Sequence, residues 1–234
     1  MPTNFADIMF DEPSHRYSLY GRPLSSVTRV ISRLRPPFDA PAAAAAVAER
    51  EGQTGAEVLT EWEQKRQAAL ARGNQVHHYI AAKIGSAGAG PHPSSRLPEM
   101  DGFDRWWTDG SYSCRRVEWV VGDSELGVAG TVDAILRDEQ TGANVVFDWK
   151  TGQKFSTENT WENLRPPFED LPHCDLSVYS LQISLYRLMI ERNRSGVAAA
   201  FILHLAPDGQ ATTYAALDLR TRLAAWLATG AAVK

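Results

Sequence analysis

From Gly130 to Gln153 the chain reads GTVDAILRDEQTGANVVFDWKTGQ. Two apolar, strand-like runs stand on either side of DEQTG, a turn-type segment, and the pattern predicts a β-hairpin. The hairpin is tightly constrained because each run carries an acid where strand interiors rarely have one. Asp133 interrupts the first run, Asp148 closes the second, and Lys150 follows two residues later. Strand side chains alternate, so Asp148 and Lys150 share a face, while Trp149 takes the other with Val145 and Phe147. Pairing across the turn brings Asp133 close to Asp148. Two carboxylates held that close repel and raise one another's pKa unless a cation sits between them. Hard oxygen ligands with no nearby cysteine suit Mg²⁺ or Mn²⁺. A lysine on the same face can orient a water or stabilise charge developing on a phosphate. An acid-x-lysine triplet alone is not diagnostic: Glu63-Gln64-Lys65 has the same form inside a polar helical stretch, where solvation explains it.

The rest of the chain narrows the setting. Its 234 residues suffice for one domain with elaborations. We read 1–234 as a single unit, with an N-terminal hairpin and helices over 1–85 and a core over 112–215. The net charge of −4 does not advertise nucleic acid, so polyanion binding needs a local basic patch. The two cysteines, Cys114 and Cys174, read as reduced thiols of a cytoplasmic protein and cannot by themselves hold an iron–sulfur cluster. No stretch has the apolar length of a membrane span.

Turn and cap residues place the elements. His15–Leu24 predicts a short hairpin turning near Gly21. Ser25 or Ser26 caps a helix over SSVTRVISRL. Asp39 caps another, with Pro41 in its first turn and Gly52 at its end. A polar helix over about 56–70 is expected to break at Arg72-Gly73 and resume at NQVHHYIAAKIG. Ser86–Pro98, rich in Gly, Pro and Ser, reads as a loop. Strand-like RRVEWVVGD precedes the acid-bearing hairpin. After it come a proline-rich loop, the amphipathic helix DLSVYSLQISLYRLMIER, a buried-type strand GVAAAFILHLAP and a further strand, ATTYAALDL. This order predicts an α/β or α+β fold with a central mixed sheet flanked by helices.

Two helices can complete a pocket. Val76, Ile80 and Ile84 form a core stripe, and His77 lies beside it, better placed to look inward than His78. Gln182 and Tyr186 are four residues apart and share a helical face. Taken alone, His77 reads more readily as a satisfied, partly buried residue than as a ligand, and Gln182 with Tyr186 as a polar surface pair.

In combination these segments resemble the RecB-like branch of the PD-(D/E)XK nuclease superfamily. That branch carries a helical G-x-x-x-H, a strand G-x-x-D, a strand D-x-K-T and a helical Q-x-x-x-Y. Here these are Gly73 to His77, Gly130 to Asp133, Asp148 to Thr151, and Gln182 to Tyr186, in that order. LSSVTRVI and ARGNQVH also resemble phage exonucleases and the mitochondrial genome-maintenance exonuclease, extending the likeness to roughly Tyr17–Glu191.

The resemblance implies a restriction-endonuclease-like core with an N-terminal helical elaboration. It implies a Mg²⁺ or Mn²⁺ ion held by His77, Asp133, Asp148 and the main-chain carbonyl of Trp149, with Lys150 acting on the attacking water or the scissile phosphate. Gln182 and Tyr186 would position that lysine or the DNA. Ser26, Thr28 and Arg29 would hold a backbone phosphate at a helix start, against a plain capping role. Arg72, Lys154 and Arg187 are candidate phosphate contacts. Trp149 and the pair Trp106-Trp107 are candidates for base stacking, with core packing the alternative. Glu118, on the preceding strand, is a further candidate carboxylate. The implied activity is a metal-dependent DNA nuclease, foremost an exonuclease of phage or bacterial replication, recombination or repair, working alone or beside separate partners. A structure-selective or restriction-like endonuclease and a non-catalytic DNA-binding protein of the same fold are the alternatives. The chain lacks the four cysteines that some RecB-like nucleases use for an iron–sulfur cluster, and it lacks G-x-x-x-x-G-K-[ST].

Overall fold

The structure is a computed structural model that describes residues 3–85, 95–193 and 196–230. It is α+β, as the element order predicts. Eight strands form one mixed sheet with helices packed against it. In chain order the elements are β1 (Ile8–Asp11), β2 (Arg16–Leu19), β3 (Arg22–Ser26), α1 (Val27–Ser32), α2 (Ala40–Glu51), α3 (Gly55–Gly85) and α4 (Pro98–Trp107). There follow β4 (Tyr112–Asp123), β5 (Val128–Asp138), β6 (Asn144–Thr151), α5 (Asp175–Arg192), β7 (Ala199–Leu205), β8 (Ala211–Ala215) and α6 (Arg220–Ala228). No helix among the described residues is long and apolar enough to cross a membrane.

Local signals explain several boundaries. The β2–β3 hairpin turns at Tyr20-Gly21, both at positive φ, the conformation two-residue hairpin turns favour. Ser26 Oγ accepts the Arg29 N–H at 3.2 Å and caps α1. Asp39 caps α2 through the Ala42 N–H, and Gly52 ends it in the left-handed conformation. Asp138 sets the β5–β6 turn. Its carboxylate accepts the N–H groups of Gln140 and Thr141 at 2.9 and 2.8 Å, and its carbonyl accepts that of Gly142 at 2.8 Å.

The expected break at Arg72-Gly73 is absent: α3 runs unbroken from Gly55 to Gly85. Gly73 serves close packing instead. A Cβ there would lie 3.2 Å from Thr151 Oγ1, so the missing side chain lets the helix approach the end of β6. Of the loop expected over Ser86–Pro98, residues 86–94 lie outside the described residues, and Pro98 already starts α4.

The sheet is forked at β5. β4 pairs along one whole edge of β5, from Asp123↔Val128 to Tyr112↔Asp138. The other edge is shared. Parallel β3 pairs at Val128 and Ala129, and antiparallel β6 pairs only from Ala134 onward. Residues 130–133 therefore face a gap between the two neighbours. One core layer packs α1, α5 and α6 on the sheet around Phe168, Leu181, Leu185 and Met189. The other packs α3 and α4 around Phe103, Phe147 and Trp149. Each large side chain buried there contributes roughly 1.5–3 kcal/mol. The fork is therefore held rigidly from both faces.

Candidate metal centre

The gap in β5 is where the acids converge. The last β5–β6 pair is Ala134↔Phe147, so Asp133 and Asp148 stand next in register. The main-chain ladder stops there, and the Trp149 N–H donates to Asp133 Oδ2 at 2.7 Å. A side chain thus replaces a backbone acceptor just where the strands part. On the other edge, the pairs Val117↔Ala134 and Trp119↔Val132 put Glu118 opposite Asp133. Glu118 has φ 47°, a left-handed conformation uncommon for glutamate and costing on the order of 1–3 kcal/mol.

α3 closes the same point. His77 Nε2 lies 3.1 Å from the Trp149 carbonyl oxygen, and His77 Nδ1 lies 3.6 Å from Asp133 Oδ1. His77, Glu118 and Asp133 each offer a ligand atom within 4.8 Å of the others. His78, one residue on, is not in this group. Gly130 explains why α5 can come so near. A Cβ there would lie 2.7 Å from Tyr186 Cε1, so glycine leaves room for the ring.

From α5, Gln182 Nε2 donates to Asp148 Oδ1 at 3.2 Å and to the Tyr186 hydroxyl at 3.3 Å. Lys150 Nζ lies 2.6 Å from Asp148 Oδ2 and 4.6 Å from the centre of the Tyr179 ring. Asp148 is 1% exposed, and no hydrogen bond of good geometry reaches its Oδ2 beyond that ion contact.

The electrostatics follow from setting two buried acids, Asp133 and Asp148, and the neighbouring Glu118 beside one lysine. Burial raises the Asp148 pKa, the Lys150 ammonium opposes it, and Asp133 raises it further. Burial lowers that of Lys150, but the charges of Asp148 and Asp133 outweigh it, so Lys150 stays protonated. Glu118 is exposed as a residue, yet loss of water around its carboxyl, then the charges of Asp133, Asp148 and Glu12, push it up to about 8. Burial and Asp148 drive Tyr186 well above its usual value, so its hydroxyl remains neutral. This is the field expected of a site short of one positive charge.

The donor set fits a hard divalent cation. The grouped donors are the carboxylates of Asp133 and Glu118 and the His77 imidazole, with the Trp149 carbonyl 3.1 Å from that ring and no thiolate among them; Asp148, engaged by Lys150 and Gln182, stands next to the group and not in it. The cysteines lie elsewhere, Cys174 buried ahead of α5 and Cys114 on β4.

Other residues singled out from the sequence make no hydrogen bond or ion pair with these groups among the described residues, although Ser26 pairs with Ala129 at the edge of the gap. Ser26 is engaged in capping, with Thr28 Oγ1 at 3.1 Å, while Thr28, Arg29 and Lys154 are exposed. Two expected phosphate contacts need correction. Arg72 holds the fully buried Glu99 through two bonds of 2.5 and 2.7 Å, neutralising a carboxylate that would otherwise be stranded. Arg187 is 4% exposed. It donates to the Val197 and Ala198 carbonyls and lies 3.5 Å from Asp218, inside the core layer. Base stacking by Trp149 is likewise excluded by packing, and the half-buried Trp106 and Trp107 are engaged with neighbouring rings. Trp149 is fully buried, Trp106 stacks on Tyr112, and Trp107 stacks on Phe103. Tyr179 was not singled out, though it stands three residues before Gln182 and seven before Tyr186 on one helical face.

No protein-family model matches the chain, and no curated protein matches it. Among solved structures it is similar to the crystal structure of SSO0001, at 14% identity over 88% of this chain and 75% of that one, with a TM-score of 0.34.

Proposed function

We propose that this chain is a Mg²⁺- or Mn²⁺-dependent deoxyribonuclease that hydrolyses phosphodiester bonds. We read it as an exonuclease of phage or bacterial DNA replication, recombination or repair. The observation that carries the reading is the convergence of Asp133, Asp148, Lys150 and the Trp149 carbonyl with His77 at the fork of the sheet. It is joined by the four ordered motifs that contain these residues.

His77, Asp133, Asp148 and the Trp149 carbonyl would hold the cation, with Glu118 beside them. A cation there supplies polarisation of the scissile phosphate and a lowered pKa for the attacking water. The chain's own residues do the rest. Lys150 would act on the attacking water or on the scissile phosphate, where its ammonium, favoured by the Asp148 and Asp133 charges, can stabilise the charge that grows. Its ammonium is aimed by the Asp148 carboxylate on one side and the Tyr179 ring on the other. Gln182 fixes Asp148, and the neutral Tyr186 hydroxyl fixes Gln182. Tyr186, Gln182 and Tyr179 are thus positioning residues.

The test is a time course on end-labelled linear DNA and closed circles with each metal. Asp148→Ala and Lys150→Ala should each reduce cleavage by on the order of 10³-fold or more, while DNA binding survives. Full cleavage by either variant sinks the assignment. Cutting of closed circles moves the reading to an endonuclease.

A further inference from the structure

β7 carries one polar residue in an otherwise apolar run, AAFILHL. That residue, His204, is 7% exposed and lies outside the four sequence motifs. Parallel pairing sets Asp148 opposite Ile202 and Lys150 opposite His204. Register partners in a parallel pair point to one face. His204 therefore stands beside Lys150 on the α5 side of the sheet, its backbone one strand spacing, about 4.8 Å, away. A buried imidazole costs stability unless it is hydrogen-bonded. Here Nε2 lies 2.9 Å from the Gly152 carbonyl oxygen. A carbonyl only accepts, so Nε2 carries a proton and donates it.

That bond catches the chain just as it leaves β6. The last β6–β7 pair is Thr151↔Leu205, and Gly152 follows it at φ 153°. Three residues on, the Phe155 ring lies 5.6 Å from the His204 ring, 4.2 Å from that of Tyr214 and 6.1 Å from that of Tyr179. Tyr179 in turn carries the Lys150 ammonium 4.6 Å from its ring centre. The far end of the segment is pinned to α5, where the Ser156 N–H and hydroxyl both donate to Asp175 Oδ2 at 2.8 Å. Residues 152–156 thus run from β7 to α5, with Phe155 wedged among three rings on the way. An apolar side chain at position 204 would suit the strand equally well. The histidine adds a donor, and that donor holds the exit of the strand that presents Lys150.

We propose that His204 is a positioning residue for Lys150: its Nε2–H holds the Gly152 carbonyl, and with it the end of β6 and the Phe155 and Tyr179 rings that seat the ammonium. The inference rests on the nuclease reading for what the lysine does, and it adds to that site a residue from a strand that none of the motifs covers.

Two substitutions separate the hydrogen bond from the packing. His204→Phe keeps a ring against Phe155 and removes the donor. His204→Gln keeps an N–H able to reach the carbonyl. On end-labelled DNA with Mg²⁺, His204→Phe should lower kcat about 10- to 100-fold with KM changed less than about twofold, and His204→Gln should recover most of the loss. The lysine is also read without turnover, from ¹H–¹⁵N spectra of the lysine ammonium groups in metal-free protein. The Lys150 signal is the one missing in Lys150→Ala. It should shift and lose intensity to exchange with water in His204→Phe, and return in His204→Gln. Thermal melts check folding. If His204→Phe does not fold, Phe155→Leu, which loosens the same seat and leaves the hydrogen bond, should displace the Lys150 signal in its place. An unmoved Lys150 signal in the folded variant overturns the proposal, and so does equal displacement in His204→Gln and His204→Phe. A raised KM at unchanged kcat assigns His204 to DNA binding and overturns it as well. A parent protein that cleaves no DNA sinks the nuclease reading alone, since the ammonium spectra still decide whether His204 seats Lys150.

Discussion

The Trp149 N–H donates to Asp133 Oδ2 at 2.7 Å, so one carboxylate both closes the β5–β6 ladder and faces the candidate metal centre. The two roles separate by substitution. Asp133→Asn keeps an oxygen for the Trp149 N–H and removes a charge from a crowded group of acids. It should leave the metal-free protein at least as stable as the parent while losing Mn²⁺ binding. Asp133→Ala strands a buried N–H and should cost about 1–3 kcal/mol as well as the metal. Urea unfolding with Mn²⁺ titration measures both. Equal destabilisation by the two variants contradicts the ladder role.

Glu118 predicts a pH dependence. Its carboxyl is pushed up to about 8 in the folded chain, from an ordinary value near 4.5. The folded state thus holds a proton that the unfolded state releases. Its stabilising contribution is complete below about pH 4.5 and is lost as pH rises through about 8. Asp148, also raised, acts in the same direction. The metal-free melting temperature should therefore fall between pH 6 and pH 8.5, and the protection given by Mg²⁺ or Mn²⁺ should grow over the same interval, since metal needs the deprotonated acids. Glu118→Gln should flatten the metal-free profile. Thermal melts of both proteins with and without metal decide it, and identical profiles for parent and variant reject the assignment.

Gly130 tests the close approach of α5. Its missing Cβ would sit 2.7 Å from Tyr186 Cε1 and 3.1 Å from Val27 Cγ2. Gly130→Ala should destabilise by about 1–3 kcal/mol through overpacking. Tyr186→Leu in the same chain should relieve part of that cost, so the double variant is less destabilised than the two single effects added. Chemical denaturation of the four proteins of the cycle gives the coupling. Strict additivity would show that Gly130 is small for some other reason.

Much of this site was legible because its parts obey local rules. Strand alternation put Asp148 and Lys150 on one face. The DEQTG turn put Asp133 beside Asp148. Helical periodicity favoured His77 over His78 and paired Gln182 with Tyr186. Long-range partnership was not legible. Arg72 reads as free surface charge until Glu99, far along the chain, is seen buried beneath it. Arg187 sits in a helix whose periodicity gives no hint that its guanidinium ends at the Val197 and Ala198 carbonyls. Gly73 looked like a helix breaker because propensity speaks only of the helix, whereas the residue answers to Thr151 on another element. The fork in the sheet was equally hidden, since no single segment records that β3 and β6 share one edge of β5.

Lys150 distinguishes a ligand from a neighbour of ligands. Its ammonium lies 2.6 Å from Asp148 Oδ2 and occupies, electrostatically, part of the place a cation would take. Lys150→Ala should therefore bind Mn²⁺ at least as tightly as the parent, because a competing positive charge has gone, even though cleavage is lost. Asp148→Ala removes a donor and should lose both. His77→Ala removes the imidazole near the Trp149 carbonyl and should weaken Mn²⁺ by about 10- to 100-fold if it binds directly or orients that carbonyl. Free Mn²⁺ followed by electron paramagnetic resonance at pH 8 reads all three without reference to turnover. Loss of Mn²⁺ binding in Lys150→Ala would mean that the lysine organises Asp148 for the metal, and the assignment of Lys150 as a group acting on substrate would have to be given up.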